Sequence, residues 1–286
     1  MLNRLGFLAE CLALFAGVRD RTRTFLVPID AENGLHVFVA SQLDFYTQRC
    51  IATSSLLQAD LLWDAEIVFR AAIEAALKVW FVAAAPEPER SVRVREFRER
   101  LSEVAIYRFR ARASAGHTVK SGPEAMASML AMSEQEQDVH RAKWTKRERK
   151  ALEQKWAFAE MVKALENEGI GGHRLPYLVN LTHSYGVASH LLHADQMAIS
   201  LTADRESRAA ETREILASLH FAEMSTRQVA ILISLSHCAA YTLGKTVQLQ
   251  EYVDELDRLN QVSKSIREQL HEDQKHLYAT DAEPEA

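Results

Sequence analysis

Residues 61–82, LLWDAEIVFRAAIEAALKVWFV, read as one helix that is apolar almost all the way round. The exception is a ladder at four-residue spacing: Glu66, Arg70, Glu74 and Lys78. A helix enclosed on most faces carries charges only where they are paired or used. On a solvated face each i,i+4 pair would add about 0.2–0.5 kcal/mol of helix stability, and that plain reading stays open. Against it, Phe69, Ile73, Leu77, Val79 and Trp80 leave little room for a wet face. An arginine held between carboxylates inside a bundle is costly unless fully hydrogen-bonded, a cost met more often at a site than in scaffolding.

The rest of the chain is arranged to enclose such a helix. Long stretches rich in Ala, Leu, Glu, Arg and Gln dominate, Gly numbers 10 and Pro 6, and alternating β-type segments are nearly absent. The expectation is an all-α fold: a multi-helix bundle in a single domain with a charged helical insertion. Residues 1–34 divide into a short helix over 2–18 and an irregular segment, 19–34, with Pro28 as a breaker and Asn33-Gly34 as a turn. The bundle spans 35–276, with helices over 35–59, 61–84, 177–202, 204–243 (a break is placed near His220) and 246–276. The insertion, 89–150, opens with eight arginines between Arg90 and Arg112 in a helix over 89–113. A loop over 114–123 and a Met- and Ala-rich helix over 124–139 follow. The acidic tail, 277–286, reads as disordered.

The net charge of −5 argues against global attraction to nucleic acid, although the basic stretches 90–112 and 141–155 leave local contact open. Cys11, Cys50 and Cys238 form no CxxC and read as reduced thiols in the core. Glu10 interrupts the first apolar run, so an amphipathic helix fits it better than a signal peptide. Residues 229–243 are too short to span a bilayer. A cytoplasmic protein with no membrane association and no cofactor is expected.

A second polar stripe lies on the 177–202 helix, where Tyr185, Ser189 and His193 share one face and Gln196 and Ser200 continue it. Such a stripe suits anion binding or proton transfer through His193. Satisfied polar residues cross-linking helices are the plain alternative. A metal is less expected: there is no HExxH, and the one Glu-x-x-His, Glu268–His271, has no second copy. Three Arg-to-His spacings of ribonuclease type occur, Arg110 and Arg112 with His117, and Arg213 with His220, a pattern that chance readily supplies.

The order of Arg70-x-x-x-Glu74, then Trp144, then Tyr185-x-x-x-Ser189-x-x-x-His193 resembles the bacterial helical family DUF5677, over roughly residues 35–205. The resemblance implies an all-helical fold and a shared centre in which Arg70, Glu74, Ser189 and His193 face one another. It brings no established activity, and its likeness to HEPN-like proteins is an analogy. Two functions follow as expectations. One is a nuclease-like or nucleotide- and phosphate-handling protein of a toxin or phage-defence system. In it Arg70 holds a phosphate, Glu74 orients it, His193 is the general acid/base, and Tyr185 and Ser189 bind. The other is a non-catalytic binding or regulatory helical module in which these residues form a structural polar network. RNA or a nucleotide is the candidate ligand, and a second copy of the chain, through apolar helices, the candidate partner.

Overall fold

The computed structural model describes residues 2–27, 29–117, 133–172, 175 and 178–278, with side chains described except at 113–117, 140–141 and 273–278. Helix α1 (Arg4–Leu26) starts where the Asn3 side chain accepts from the Gly6 amide. Helix α2 (Gly34–Gln58) starts where Asn33 accepts from Leu35 and His36. Helix α3 (Leu62–Ala84) stops before Pro86. Then α4 (Glu87–Arg95) runs through a π-helical turn, Glu96–Leu101, into α5 (Ser102–His117). Next come α6 (Glu134–Lys143), α7 (Lys146–Lys155) and α8 (Phe158–Glu168). A reciprocal Thr145–Glu148 box caps α7, and Gly169, at φ 65°, ends α8 in a conformation costly for any side chain. The chain closes with α9 (Leu178–His193), α10 (Gln196–Ser207), α11 (Ala210–Thr242) and α12 (Gln250–Tyr278).

The fold is an all-α multi-helix bundle, with no β-strand among the described residues. No described helix is long and apolar enough to cross a membrane. Helix α3 is its axis and packs against α2, α4, α8, α9 and α11. Its alanines (Ala65, Ala72, Ala75, Ala76, Ala83) let neighbouring backbones approach, while Phe69, Ile73, Leu77 and Trp80 fill the space between them. Helix α11 is the second long strut, against α1, α2, α3 and α12. Several polar groups facing the core are satisfied across helices: Tyr46 donates to the Gln228 carbonyl at 2.6 Å, and the Thr22 and Ser236 hydroxyls bond at 2.6 Å.

Several boundaries differ from the sequence expectations. Helix α1 continues to Leu26 because Phe15, Val18, Thr22 and Leu26 prolong its buried stripe, with Thr22 also donating to the Val18 carbonyl. The 19–34 segment is therefore half helical. The 177–202 helix is two helices: Ala194 turns at φ 48°, and Asp195 caps α10 by accepting from Met197 and Ala198. Helix α11 passes His220 unbroken, and the interruption falls at Arg208–Ala209. Helix α5 persists to His117, so residues 114–117 of the expected loop are helical. Most of that loop, the first part of the 124–139 helix and residues 279–286 of the acidic tail lie outside the described residues. Arg93, buried in α4, donates to the Phe81 carbonyl at 2.5 Å and pairs with Glu89 at 3.1 Å and Glu168 at 3.3 Å, fastening the head of the arginine-rich stretch to α3 and α8.

All three cysteines are free and buried. Burial, with Glu10 nearby, pushes the Cys11 thiol up to about 12, and burial raises Cys238 to about 12. The thiolate is the reactive form, so labelling by a disulfide reagent at pH 8 should be slower in the folded protein by on the order of a hundredfold than in denaturant. Rapid native labelling would contradict this core.

Candidate functional site

The four ladder residues of α3 pair along the helix only at Arg70–Glu74; the others are met from neighbouring elements. Glu66, only 6% exposed, accepts from His220 Nε2 of α11 at 3.0 Å and pairs with Arg227 of α11 at 3.4 Å. Arg205 of α10 donates to His220 Nδ1 at 3.1 Å. A guanidinium only donates, so Nδ1 accepts in that bond and Nε2 is the nitrogen directed at the carboxylate. The same Arg205 lies 4.4 Å over the Trp63 ring. Burial pushes the Glu66 carboxyl up, but the His220 hydrogen bond and Arg227 outweigh it and hold Glu66 below the usual carboxylate range. Its second oxygen, Oε2, is buried without a partner.

One turn on, Arg70 Nη2 donates to the Tyr185 hydroxyl at 2.6 Å, and Tyr185 donates to Glu74 Oε1 at 3.0 Å. Arg70 and Glu74 also approach directly, at 3.4 Å. The phenol thus spends its one proton on the carboxylate and its lone pair on the guanidinium, which closes the triangle. The Tyr185 ring is clamped between the Arg70 guanidinium, 4.5 Å from its centroid, and Phe158 of α8, stacked at 3.5 Å. Burial raises the Tyr185 hydroxyl pKa, and Glu74 adds to this while Arg70 works against it, so the phenol keeps its proton. Lys78, the last rung, sits 5.4 Å from the centroid of the Phe97 ring, and burial lowers its pKa, with Glu74 opposing.

Of the five residues singled out as a composite centre, the structure joins Arg70, Glu74 and Tyr185. Ser189 is half-buried and makes no hydrogen bond to this triangle among the described residues. His193 is exposed at the end of α9, eight residues beyond Tyr185 and so about 12 Å further along the axis. Gln196 and Ser200 belong to α10, not to the Tyr185 face. Among the Arg–His spacings, Arg213 pairs with Glu206 at 3.0 Å and Arg110 with Glu136 at 3.1 Å, while the His117 side chain lies outside the described ones. No group of three or more His, Cys, Asp or Glu among the described residues could hold a metal ion.

The open concave feature lies elsewhere. Helices α9, α11 and α12 enclose a groove of about 880 Å³, lined on its polar side by Asn180, His183, Arg227, Ser263 and Lys264. Sequence reasoning missed it because its walls come from three distant segments. One signal was present: Ser263 interrupts the apolar stripe Leu256, Leu259, Ile266 and Leu270 at a position where that stripe calls for an apolar side chain. Comparisons of the chain with protein-family models, with curated proteins and with solved structures found no match.

The Glu66 charge makes a pH-dependent contribution. Its folded pKa lies below the ordinary value of 4.5, so the stabilisation is complete above that value and lost as pH falls through the folded pKa. Glu66→Gln should lower unfolding free energy by about 1.5–3 kcal/mol at pH 7, and the gap to wild type should close below pH 4.5, as measured by urea denaturation across pH.

Proposed function

We propose that the chain is a non-catalytic, ligand-binding helical module whose buried ionic residues hold its helices in register. The observation that carries this reading is the closed triangle of Arg70, Tyr185 and Glu74. Arg70 and Glu74 are each met by the Tyr185 hydroxyl and by one another, the pattern of a fastening between α3 and α9. The phosphate-handling reading needs a base as well as a cation; its candidate, His193, sits about 12 Å along α9 from the triangle. The groove between α9, α11 and α12 is a surface open to binding, and its volume falls in the range of small-molecule sites. A reducing, cytoplasmic setting suits the three unpaired buried thiols.

Two measurements test this. Glu74→Ala should cost about 1–2 kcal/mol of unfolding free energy, discounted because the carboxylate is part-exposed. RNA incubated with wild type and with His193→Ala should be cut to the same background extent. Cleavage by wild type that His193→Ala loses would return the enzymatic reading to first place.

A further inference from the structure

We infer that the groove between α9, α11 and α12 binds a small organic anion, a carboxylate or phosphate monoester headgroup on a body with an apolar face. The inference rests on the module reading in taking this groove, and not the ion triangle, as the working surface. Its first support is shape and composition. The groove holds about 880 Å³, and its lining combines the apolar Leu181, Ala230 and Ile231 with amide, imidazole and cationic groups. Pockets for small molecules combine these two surfaces, the apolar wall for affinity and a few polar groups for orientation.

The second support is independent of shape. Ser263 lines the groove, is 5% exposed, and its hydroxyl has no hydrogen-bond partner among the described residues. A helical serine normally donates to the carbonyl one turn back, as Ser184, Ser225 and Ser236 do here. Ser263 does not, and an unpaired buried hydroxyl is costly unless something meets it.

The charges set the sign of the ligand. Arg267 and Glu223 neutralise each other at the groove, and Arg227 is matched by Glu66 behind it. Arg227 reaches Glu66 through Nη1 alone, so its other N–H donors are unspent among the described residues. Lys264 has no carboxylate partner among the described residues, so the lining carries one uncompensated positive charge. An anionic headgroup is the complement, taking Lys264 and Arg227 as cationic contacts and the Ser263 hydroxyl as a further donor, while the apolar body lies on Leu181 and Ile231. The buried Glu66–His220 bond acquires a role here: it fixes the base of Arg227 and so pre-orients the groove's inner cation.

Titration calorimetry on the full chain, with decanoate and adenosine monophosphate as organic probes and inorganic phosphate as the bare anion, tests this at low ionic strength. One organic probe should bind saturably at one site below about 1 mM. Lys264→Met, an exposed position whose thermal unfolding should match wild type, should weaken that probe about tenfold, and so should a rise in salt from about 0.05 M to 0.5 M. The identity of the probe that binds distinguishes a carboxylate from a phosphate headgroup. No saturable binding by either organic probe, tighter binding by inorganic phosphate, or unchanged affinity in Lys264→Met would overturn the inference. Failure here with the Glu74→Ala loss of stability intact would refute the groove's ligand and leave the structural role of the ion triangle standing.

Discussion

The enclosure of charged side chains on α3 is the constraint from which the arrangement of the other helices follows. Five helices cover this segment, so the four rungs of the ladder cannot rely on water alone. They reach three neighbours: Glu66 reaches α11, Arg70 and Glu74 share Tyr185 of α9, and Lys78 reaches the π-helical turn. Apolar packing is tolerant of sliding, because one leucine contact resembles the next. A hydrogen bond at 2.6–3.0 Å is not, and a helix that slipped by one residue would leave a carboxylate or guanidinium unpaired in the core. The ladder therefore selects one register of α9 and of α11 against α3.

That selection carries through to the groove. Arg227 touches both Glu66 and the groove between α9, α11 and α12, so the base of the groove is held from behind by the same carboxylate that registers α11 on α3. Arg205 extends the connection outward, giving its proton to His220 and its flat face to Trp63. The polar interior is thus a framework of cross-helix contacts in which, among the described residues, Glu66 Oε2 and Arg70 Nε keep no partner, and the groove beside it presents further open donors. Closed ionic clusters stabilise and position; open donors recognise.

The fold class was legible in the amino-acid sequence because the helical period, the scarcity of Gly and Pro and the apolar run of 61–82 are local properties. The resemblance implied a centre where Arg70, Glu74, Ser189 and His193 face one another; the structure brings Tyr185, from the same stripe, to Arg70 and Glu74. What escaped was of two kinds. Some boundaries were hidden by polar residues that act as core: Thr22 continues the buried stripe of α1 by bonding its own backbone and Ser236. The split at Ala194 was concealed because Asp195 reads as one more polar residue on a helix face, although it is a cap. The second kind is long-range chemistry. Nothing near Glu66 announces His220 or Arg227, more than 150 positions away, and a groove built from three segments has no local pattern. The composite centre was extended too far along α9 for the same reason: spacing of four places Ser189 and His193 on the face of Tyr185 but says nothing of where α3 ends its contact with that face.

The central claim, that Arg70 and Tyr185 form a structural fastening, is tested most directly by a thermodynamic cycle with Arg70→Met, Tyr185→Phe and the double variant. Urea unfolding of the four proteins isolates the pair from the packing each side chain makes with other groups. The account predicts a coupling energy of about 1 kcal/mol or more between the two positions. Additive single effects, with coupling below about 0.3 kcal/mol, would contradict it and mean that the triangle does not hold α9 to α3.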